Sequence, residues 1–187
     1  MNSAVASEVL ILASGGIDSS LCISRQKTSG LAVRCLHVDF GQPAANEEWA
    51  ALQRVVKFFE VPCSQICVRS SQVIAPGEVE GRNAFLVLTA LMFRHSSERL
   101  ICLGIHSGTP YYDCSPGFLA AIDKMIAEHT NSMVRVIAPL LGLHKPDIVA
   151  ECRSNDVPLQ LTYSCQSGLE IPCGKCLSCK DRSALGC

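Results

Sequence analysis

The chain has 187 residues, enough for one α/β domain and too few for two of ordinary size. Its 16 Lys plus Arg against 17 Asp plus Glu give a net charge of −1, which excludes a general nucleic-acid binder and an acidic disordered tail. With 48% apolar, 18% charged and 5% aromatic residues, the chain can bury a core and is not disordered, collagenous or coiled-coil.

Val9 to Ala13 is a short apolar run stopped by glycines and predicts a buried strand. Ser19 to Gln26 predicts a helix ending near Gly30, and Leu31 to Val38 a second strand. Ala45 to Glu60 predicts a helix, with Trp49, Leu52, Val55, Val56 and Phe59 on one apolar face. Cys63 to Val68 reads as a third strand, and Ser70 to Glu80, with Pro76 and Gly77, as a loop. Arg82 to His95 is nearly all apolar and longer than a usual strand, which predicts a buried helix. Arg99 to Gly104 reads as a fourth strand. Pro116 starts a further helix, with Phe118, Leu119, Ile122, Met125 and Ile126 on one face. Val134 to Ile137 reads as a fifth strand. Lys145 to Cys152 reads as a short helix with Pro146 in its first turn. From Thr162 onward the chain is Cys-rich and has no core-forming period.

Strands alternating with helices predict right-handed crossovers and an α/β, doubly wound, Rossmann-like parallel sheet. In such sheets ligands bind beyond the carboxyl ends of the strands. The loops after strands one, two and four are therefore the places for a site. The chain divides into a main domain, residues 1–161, and a Cys-rich tail, 162–187, packed on it.

The apolar runs 8–13 and 84–93 fall short of the roughly 18 to 20 residues that span a bilayer. No basic segment or cleavage site precedes Ser14-Gly15-Gly16, so no signal peptide is expected. The chain carries 12 cysteines. Cys22, Cys35, Cys63, Cys67 and Cys102 lie in or beside apolar segments, as small core residues do. Thiols and a metal in a reducing cytoplasm are expected rather than disulfides.

Directly after the first strand comes Ser14-Gly15-Gly16-Ile17-Asp18-Ser19-Ser20, opening a helix. Two glycines let the backbone turn tightly and approach a phosphate without a Cβ. The helix N-terminus supplies free N–H groups and the positive dipole end. Ser14, Ser19 and Ser20 add hydroxyls, and Asp18 suits a Mg²⁺ placed between it and phosphate. This is neither the P-loop nor the dinucleotide fingerprint, since Gly-Lys-Ser/Thr and Gly-x-Gly-x-x-Gly are absent. The bland alternative is an ordinary strand-to-helix turn, which a bare Ser-Gly-Gly would fit; Ser-Gly-Gly-x-Asp-Ser in this place is far more specific.

Cys165-x7-Cys173-x2-Cys176-x2-Cys179 gathers four thiols, with Gly174 relaxing the turn between two of them. Four thiolates suit a closed, structural Zn²⁺ site. An iron–sulfur cluster is the rival that the spacing leaves open. Cys187 is a bystander.

The loop at 14–19 resembles the signature of the N-type, or PP-loop, ATP pyrophosphatases, which share the adenine nucleotide alpha-hydrolase-like fold. These enzymes adenylate an oxygen and let a nucleophile displace AMP. The resemblance implies that Ser14, Gly15, Gly16, Asp18 and Ser19 hold the departing pyrophosphate, and it favours zinc, because ligase chemistry needs no electron transfer. Further motifs follow in order. They are His37-Val38-Asp39-Phe40-Gly41-Gln42, Gly81-Arg82-Asn83, Tyr112-Asp113-Cys114-x-Pro116, Pro139-Leu140, Lys145 and Ile148-Val149, and then the Cys tail. Together, over about residues 9 to 182, they resemble the 7-cyano-7-deazaguanine synthase family, QueC.

That resemblance implies a ligase that uses ATP and ammonia to convert 7-carboxy-7-deazaguanine, through the amide, to the nitrile precursor of queuosine. It implies that Asp39 and Gln42 lie beside the nucleotide. Arg82 would offer a cation to phosphate or carboxylate, Asn83 would orient, Asp113 would lie near the deazapurine, and Lys145 would neutralise charge at phosphorus. It also implies a homodimer. Of the five histidines, His95 and His129 read as surface residues, and His106 is the only one placed for a site. Three segments depart from the family pattern: Pro43-Ala44 replaces a basic pair, a shortened segment with Glu80 precedes Gly81, and His106-Ser107-Gly108-Thr109 replaces an acidic, aromatic stretch. Three alternatives follow. A relative of the kind found in antiviral operons would join the deazaguanine to a protein or nucleic-acid acceptor. A tRNA sulfurtransferase is disfavoured by the near-zero charge, and a zinc-bound nucleotide sensor by an intact Asp18.

Overall fold

The structure, a computed structural model, describes residues 8–187. Residues 1–7, which carry part of the expected main domain and of the leader region, lie outside it.

Among the described residues the order is β1 (Glu8–Leu12), α1 (Ile17–Thr28), β2 (Ala32–Asp39), α2 (Ala45–Phe59), β3 (Cys63–Cys67), α3 (Arg82–Phe93), β4 (Glu98–Cys102), α4 (Pro116–His129), β5 (Arg135–Ile137), α5 (Lys145–Ser154) and α6 (Leu177–Leu185). The five strands form one parallel sheet in the order β3-β2-β1-β4-β5. The doubly wound sheet read from the sequence is therefore present, and each predicted strand and helix appears, with ends moved by a few residues.

Side chains of β1 alternate between two cores. Val9 and Ile11 pack with Leu21 of α1, Leu52 of α2 and Ile148 of α5. Leu10 and Leu12 pack with Val87 of α3 and Ile122 and Ile126 of α4. The chain thus covers both faces of β1, which is why that strand reads as a continuous apolar run.

Three expectations need correction. Arg82 to His95 is not buried all round: Phe85, Leu88, Met92 and Phe93 are exposed, because only the Val87 and Ala90 side meets the sheet. Cys67 is exposed at the end of the edge strand β3, whereas Cys22, Cys35 and Cys102 are core residues as expected. The tail also contains a helix, α6, that no apolar period announces; of its residues only Cys179 is buried.

A buried ion pair ties β2 to β4 away from the site. Arg34 Nε donates to Glu98 Oε1 at 2.6 Å and Nη2 to Oε2 at 2.8 Å, with side-chain exposures of 12% and 1%. Burial raises the Glu98 carboxyl, but Arg34 and the His95 N–H outweigh it and hold it below its ordinary value. Glu98→Ala should destabilise the fold by about 3 to 5 kcal/mol, because Arg34 loses its partner. With the native value depressed, the Glu98 contribution is complete above the unfolded value of about 4.3 and fades as pH falls through the lower native one. Urea denaturation across acidic pH checks both statements.

Candidate active site

The loop after β1 runs between two helices. Gly15 has φ +71°, and a Cβ there would lie 2.5 Å from Leu52 N and 2.8 Å from Glu48 O. The phosphate loop is thus pressed against the backbone of α2. Gly15→Ala should cost about 2 to 4 kcal/mol, from left-handed strain and the clash. Equilibrium denaturation measures this; an unchanged midpoint would mean the loop stands clear of α2.

Gly16 caps α1 with no side-chain hydrogen bond, so no side chain occupies the first-turn N–H groups. Ser19 Oγ and Ser20 Oγ donate to Gly16 O at 3.1 and 2.8 Å. Ser20 is buried and lines no cavity; Ser14, Gly16, Asp18 and Ser19 line one. Asp18 Oδ1 accepts from Lys145 Nζ at 2.6 Å, which joins the starts of α1 and α5. Deeper along the same helices, Arg25 Nε donates to Glu151 Oε1 and Nη1 to Pro139 O, both at 2.6 Å. These two rungs fix α5 against α1.

Two cavities flank the loop. One, of ≈ 280 Å³, runs under β1 and β2 towards Gln42 and Pro76. The other, of ≈ 480 Å³, lies between the 104–111 segment, the start of α5 and the tail. Asp18, Glu48, Arg82 and Gln166 line both. The sequence pointed to Asp18 and Arg82, and not to Glu48 or Gln166.

Asp39 ends β2 and stays behind the cavity wall. Its Oδ1 accepts from Gly41 N at 3.0 Å and its Oδ2 faces Arg69 at 2.9 Å. Burial raises this carboxyl, but Arg69 and Gly41 hold it below the ordinary value. Gln42 folds back, its Nε2 donating to Glu48 Oε2 at 2.9 Å and its Oε1 accepting from Phe40 N at 2.9 Å. Burial pushes the Glu48 carboxyl up, against Gln42, His37 and Arg82, which pull it down.

Gly81, at φ +74°, turns the chain into α3. Arg82 and the buried Asn83 line the first cavity. Asp113 lines neither cavity. Its Oδ2 accepts from Asn83 N at 3.2 Å and its carbonyl from Asn83 Nδ2 at 2.9 Å, so it anchors the positive end of α3.

The histidine expectation is corrected. His106 lines the second cavity, but so does His144, and His37 lines the first. Strand alternation carries His37 inward against Trp49, at 5.7 Å between ring centroids. His37 Nδ1 donates to Ala13 O at 3.1 Å, and Nε2 has no partner among the described residues. His95 and His129 are exposed, as expected.

In the tail the Sγ atoms of Cys165, Cys173, Cys176 and Cys179 all lie within 4.8 Å of one another, with Cys173 and Cys179 at 3.9 Å. That spacing fits one tetrahedral ion with metal–sulfur bonds of about 2.3 Å. The N–H groups of Lys175 and Cys176 point at Cys173 Sγ and lower its thiol to about 6. Burial and the neighbouring thiols push Cys179 up to about 12. The tail also touches the phosphate loop: Tyr163 N donates to Gly15 O at 3.0 Å. Gly168 fits so closely on Pro43 that a Cβ would lie 1.9 Å from Pro43 O.

Comparison with known proteins gives one consistent result. A family model described as "Queuosine biosynthesis protein QueC" matches residues 8–77 and 69–185. A 7-cyano-7-deazaguanine synthase of Prochlorococcus marinus is 30% identical over 94% of this chain and 91% of its own length. The Aquifex aeolicus protein of the same name is also 30% identical, over 93% and 94%. A solved structure from Methanocaldococcus jannaschii, titled a predicted subunit of tRNA methyltransferase, covers 79% of this chain and 75% of its own. Its TM-score is 0.53 at 16% identity, a likeness of fold alone. With a parallel sheet of this order, a Ser-Gly-Gly-x-Asp-Ser loop at its carboxyl edge and a family match across nearly all described residues, the chain belongs to the QueC family.

Proposed function

We propose that this protein is an ATP-dependent, AMP-forming carbon–nitrogen ligase that converts 7-carboxy-7-deazaguanine and ammonia to 7-cyano-7-deazaguanine. The observation that carries this reading is the meeting of two cavities at the phosphate loop, with Asp18 and Arg82 lining both. One cavity takes the nucleotide and the other the acid. Two substrates can then react only where the cavities join.

In this reading the first-turn N–H groups of α1, with Ser14, Gly15, Gly16 and Ser19, hold the β- and γ-phosphates, and Ser20 braces the turn. Asp18 would hold Mg²⁺, which supplies positive charge to the departing pyrophosphate. Arg82 directs the substrate carboxylate towards the α-phosphorus, and Lys145 stabilises charge there. A carboxylate oxygen bonds to that phosphorus as the bond to the β-phosphate oxygen breaks. The nitrogen of ammonia then bonds to the acyl carbon, and AMP leaves with the electron pair of the broken C–O bond. A second ATP activates the amide oxygen, and loss of AMP and the nitrogen's protons gives the nitrile. Asp39 and Gln42 shape the nucleotide side, and Asn83 and Asp113 fix the start of α3 beside the acid.

Residues 1–161 supply this chemistry and residues 162–187 brace it through a zinc ion on Cys165, Cys173, Cys176 and Cys179. The closeness of the four sulfurs supports a single ion over an iron–sulfur cluster, whose body would spread its ligands apart. Among the described residues no helix is long and apolar enough to cross a membrane. The uncovered row Phe85, Leu88 and Met92 on α3 supports a homodimer.

The test is anaerobic incubation of metal-loaded protein with Mg-ATP, ammonium and 7-carboxy-7-deazaguanine, following AMP and product mass together. AMP with amide or nitrile is expected; no AMP overturns the reading. A second reading, with a protein or nucleic-acid amine as acceptor, is favoured by the greater volume of the second cavity. Its sign would be an adenylate that stalls with ammonium and is discharged by a macromolecular amine.

A further inference from the structure

We propose that Glu48 is the proton acceptor for the nitrogen nucleophile, taking the proton that ammonia sheds as it joins the activated acyl carbon. The inference rests on the ligase reading above and adds a role to a residue that the phosphate-loop motif does not contain.

The placement is specific. Two carboxylates, Asp18 and Glu48, line both cavities among the described residues. Asp18 accepts from Lys145 at 2.6 Å and in the ligase reading is taken by Mg²⁺. One oxygen of Glu48 is engaged: Oε2 accepts from Gln42 Nε2 at 2.9 Å. The backbone carrying it is fixed. Glu48 N donates to Ala44 O at 2.8 Å, and Glu48 O lies against Gly15. A carboxylate on a fixed backbone, steered by Gln42, thus lines the junction where the acyl carbon would react.

The chemistry requires such a group. Attack by ammonia forms the N–C bond and puts a positive charge on nitrogen. AMP departs with the C–O electron pair, and the nitrogen must lose a proton to become an amide. Glu48 receives that proton and later passes it to water. The titratable groups around it are His37 and Asp39 from β2, Arg82 from α3, and Asp18 with Lys145. Burial favours the protonated form of Glu48, which makes its carboxylate a stronger acceptor than an exposed one.

The experiment compares wild type, Glu48→Gln and Glu48→Asp. Each is assayed for pyrophosphate release dependent on the acid and for turnover with ammonium or with hydroxylamine. Glutamine preserves the acceptor for Gln42. After attack by hydroxylamine the positive nitrogen is more acidic than after attack by ammonia, so its proton needs less help from a base to leave. Glu48→Gln should keep measurable pyrophosphate release and lose amide formation with ammonium by about 100-fold or more. Hydroxylamine should restore most of the turnover, and Glu48→Asp should fall between. With kcat/KM expressed per unprotonated ammonia, the acid limb should be absent in Glu48→Gln. Wild-type-like ammonium turnover in Glu48→Gln overturns the inference. So does equal loss of pyrophosphate release and hydroxylamine turnover, which would make Glu48 a prop for Gln42. A wild type that releases no pyrophosphate with the acid overturns the ligase reading itself, and this inference with it.

Discussion

Stripping the metal from the four-cysteine cluster should unfold the tail and end ATP turnover in the same step. The buried cluster of the tail is small and built largely on Cys165 and Cys179, with Ala44, Ala51 and Tyr163, while Arg182, Arg153 and Leu185 tie α6 to the main domain. Structural zinc in small domains contributes on the order of 10 to 16 kcal/mol of apparent folding free energy at neutral pH. Without the ion, four crowded sulfurs must take up protons or repel one another. The consequence reaches the active site through two contacts: Tyr163 N donating to Gly15 O at 3.0 Å, and Gly168 seated on Pro43. Gln166, which lines both cavities, follows the ligand Cys165 directly and would move with it. After chelation, proteolysis should cut first between residues 162 and 187, and AMP formation should fall at least 100-fold while the sheet keeps its circular dichroism. Cys176→Ser should do the same in milder form. Full AMP formation after complete metal removal would show that the tail does not support the loop.

What was legible in the sequence is local. The phosphate loop is contiguous, and its two glycines, Asp18 and helix start fall within a few residues of β1. The cysteine spacing is likewise short. The parallel sheet followed from apolar strands alternating with amphipathic helices, because both faces of β1 must be covered. Glu48 was not legible for the opposite reason. It follows Glu47 in the first turn of α2, where acidic residues are ordinary, and only the fold-back of Gln42 and the approach of α3 enclose it. Gln166 gains its place from the fold of the cysteine cluster beside it rather than from any period. Helix α6 was missed because it buries only Cys179 and so carries no apolar stripe. The outer face of α3 was misjudged because an apolar composition does not say how many neighbours a helix meets. His37 was passed over because a polar residue in a strand signals a cavity only once its neighbours in the sheet are known.

Removing either member of the Asp18–Lys145 pair should damage catalysis far more than stability. The pair closes at 2.6 Å, with the two side chains 26% and 20% exposed. Ion pairs that still reach solvent contribute about 0 to 1 kcal/mol, and this one, about three-quarters buried, belongs at the upper end; loss of Asp18 from the first turn of α1 adds about 0.3 to 1 kcal/mol through the helix dipole. Lys145→Met should therefore leave the unfolding midpoint almost unchanged, and Asp18→Asn should lower it slightly. On AMP formation each should cost about 100- to 1000-fold, the range seen when one group that stabilises developing charge is lost. The double variant should fall well short of the product of the two, because each group holds the other in place at 2.6 Å and, in the proposed reaction, both act on the same phosphoryl transfer. A double-mutant cycle on kcat, with urea denaturation run in parallel, measures this. Two single variants that lose several kcal/mol of stability and keep their activity would make the pair a clamp between α1 and α5, a task already performed by Arg25 and Glu151 at the next rung.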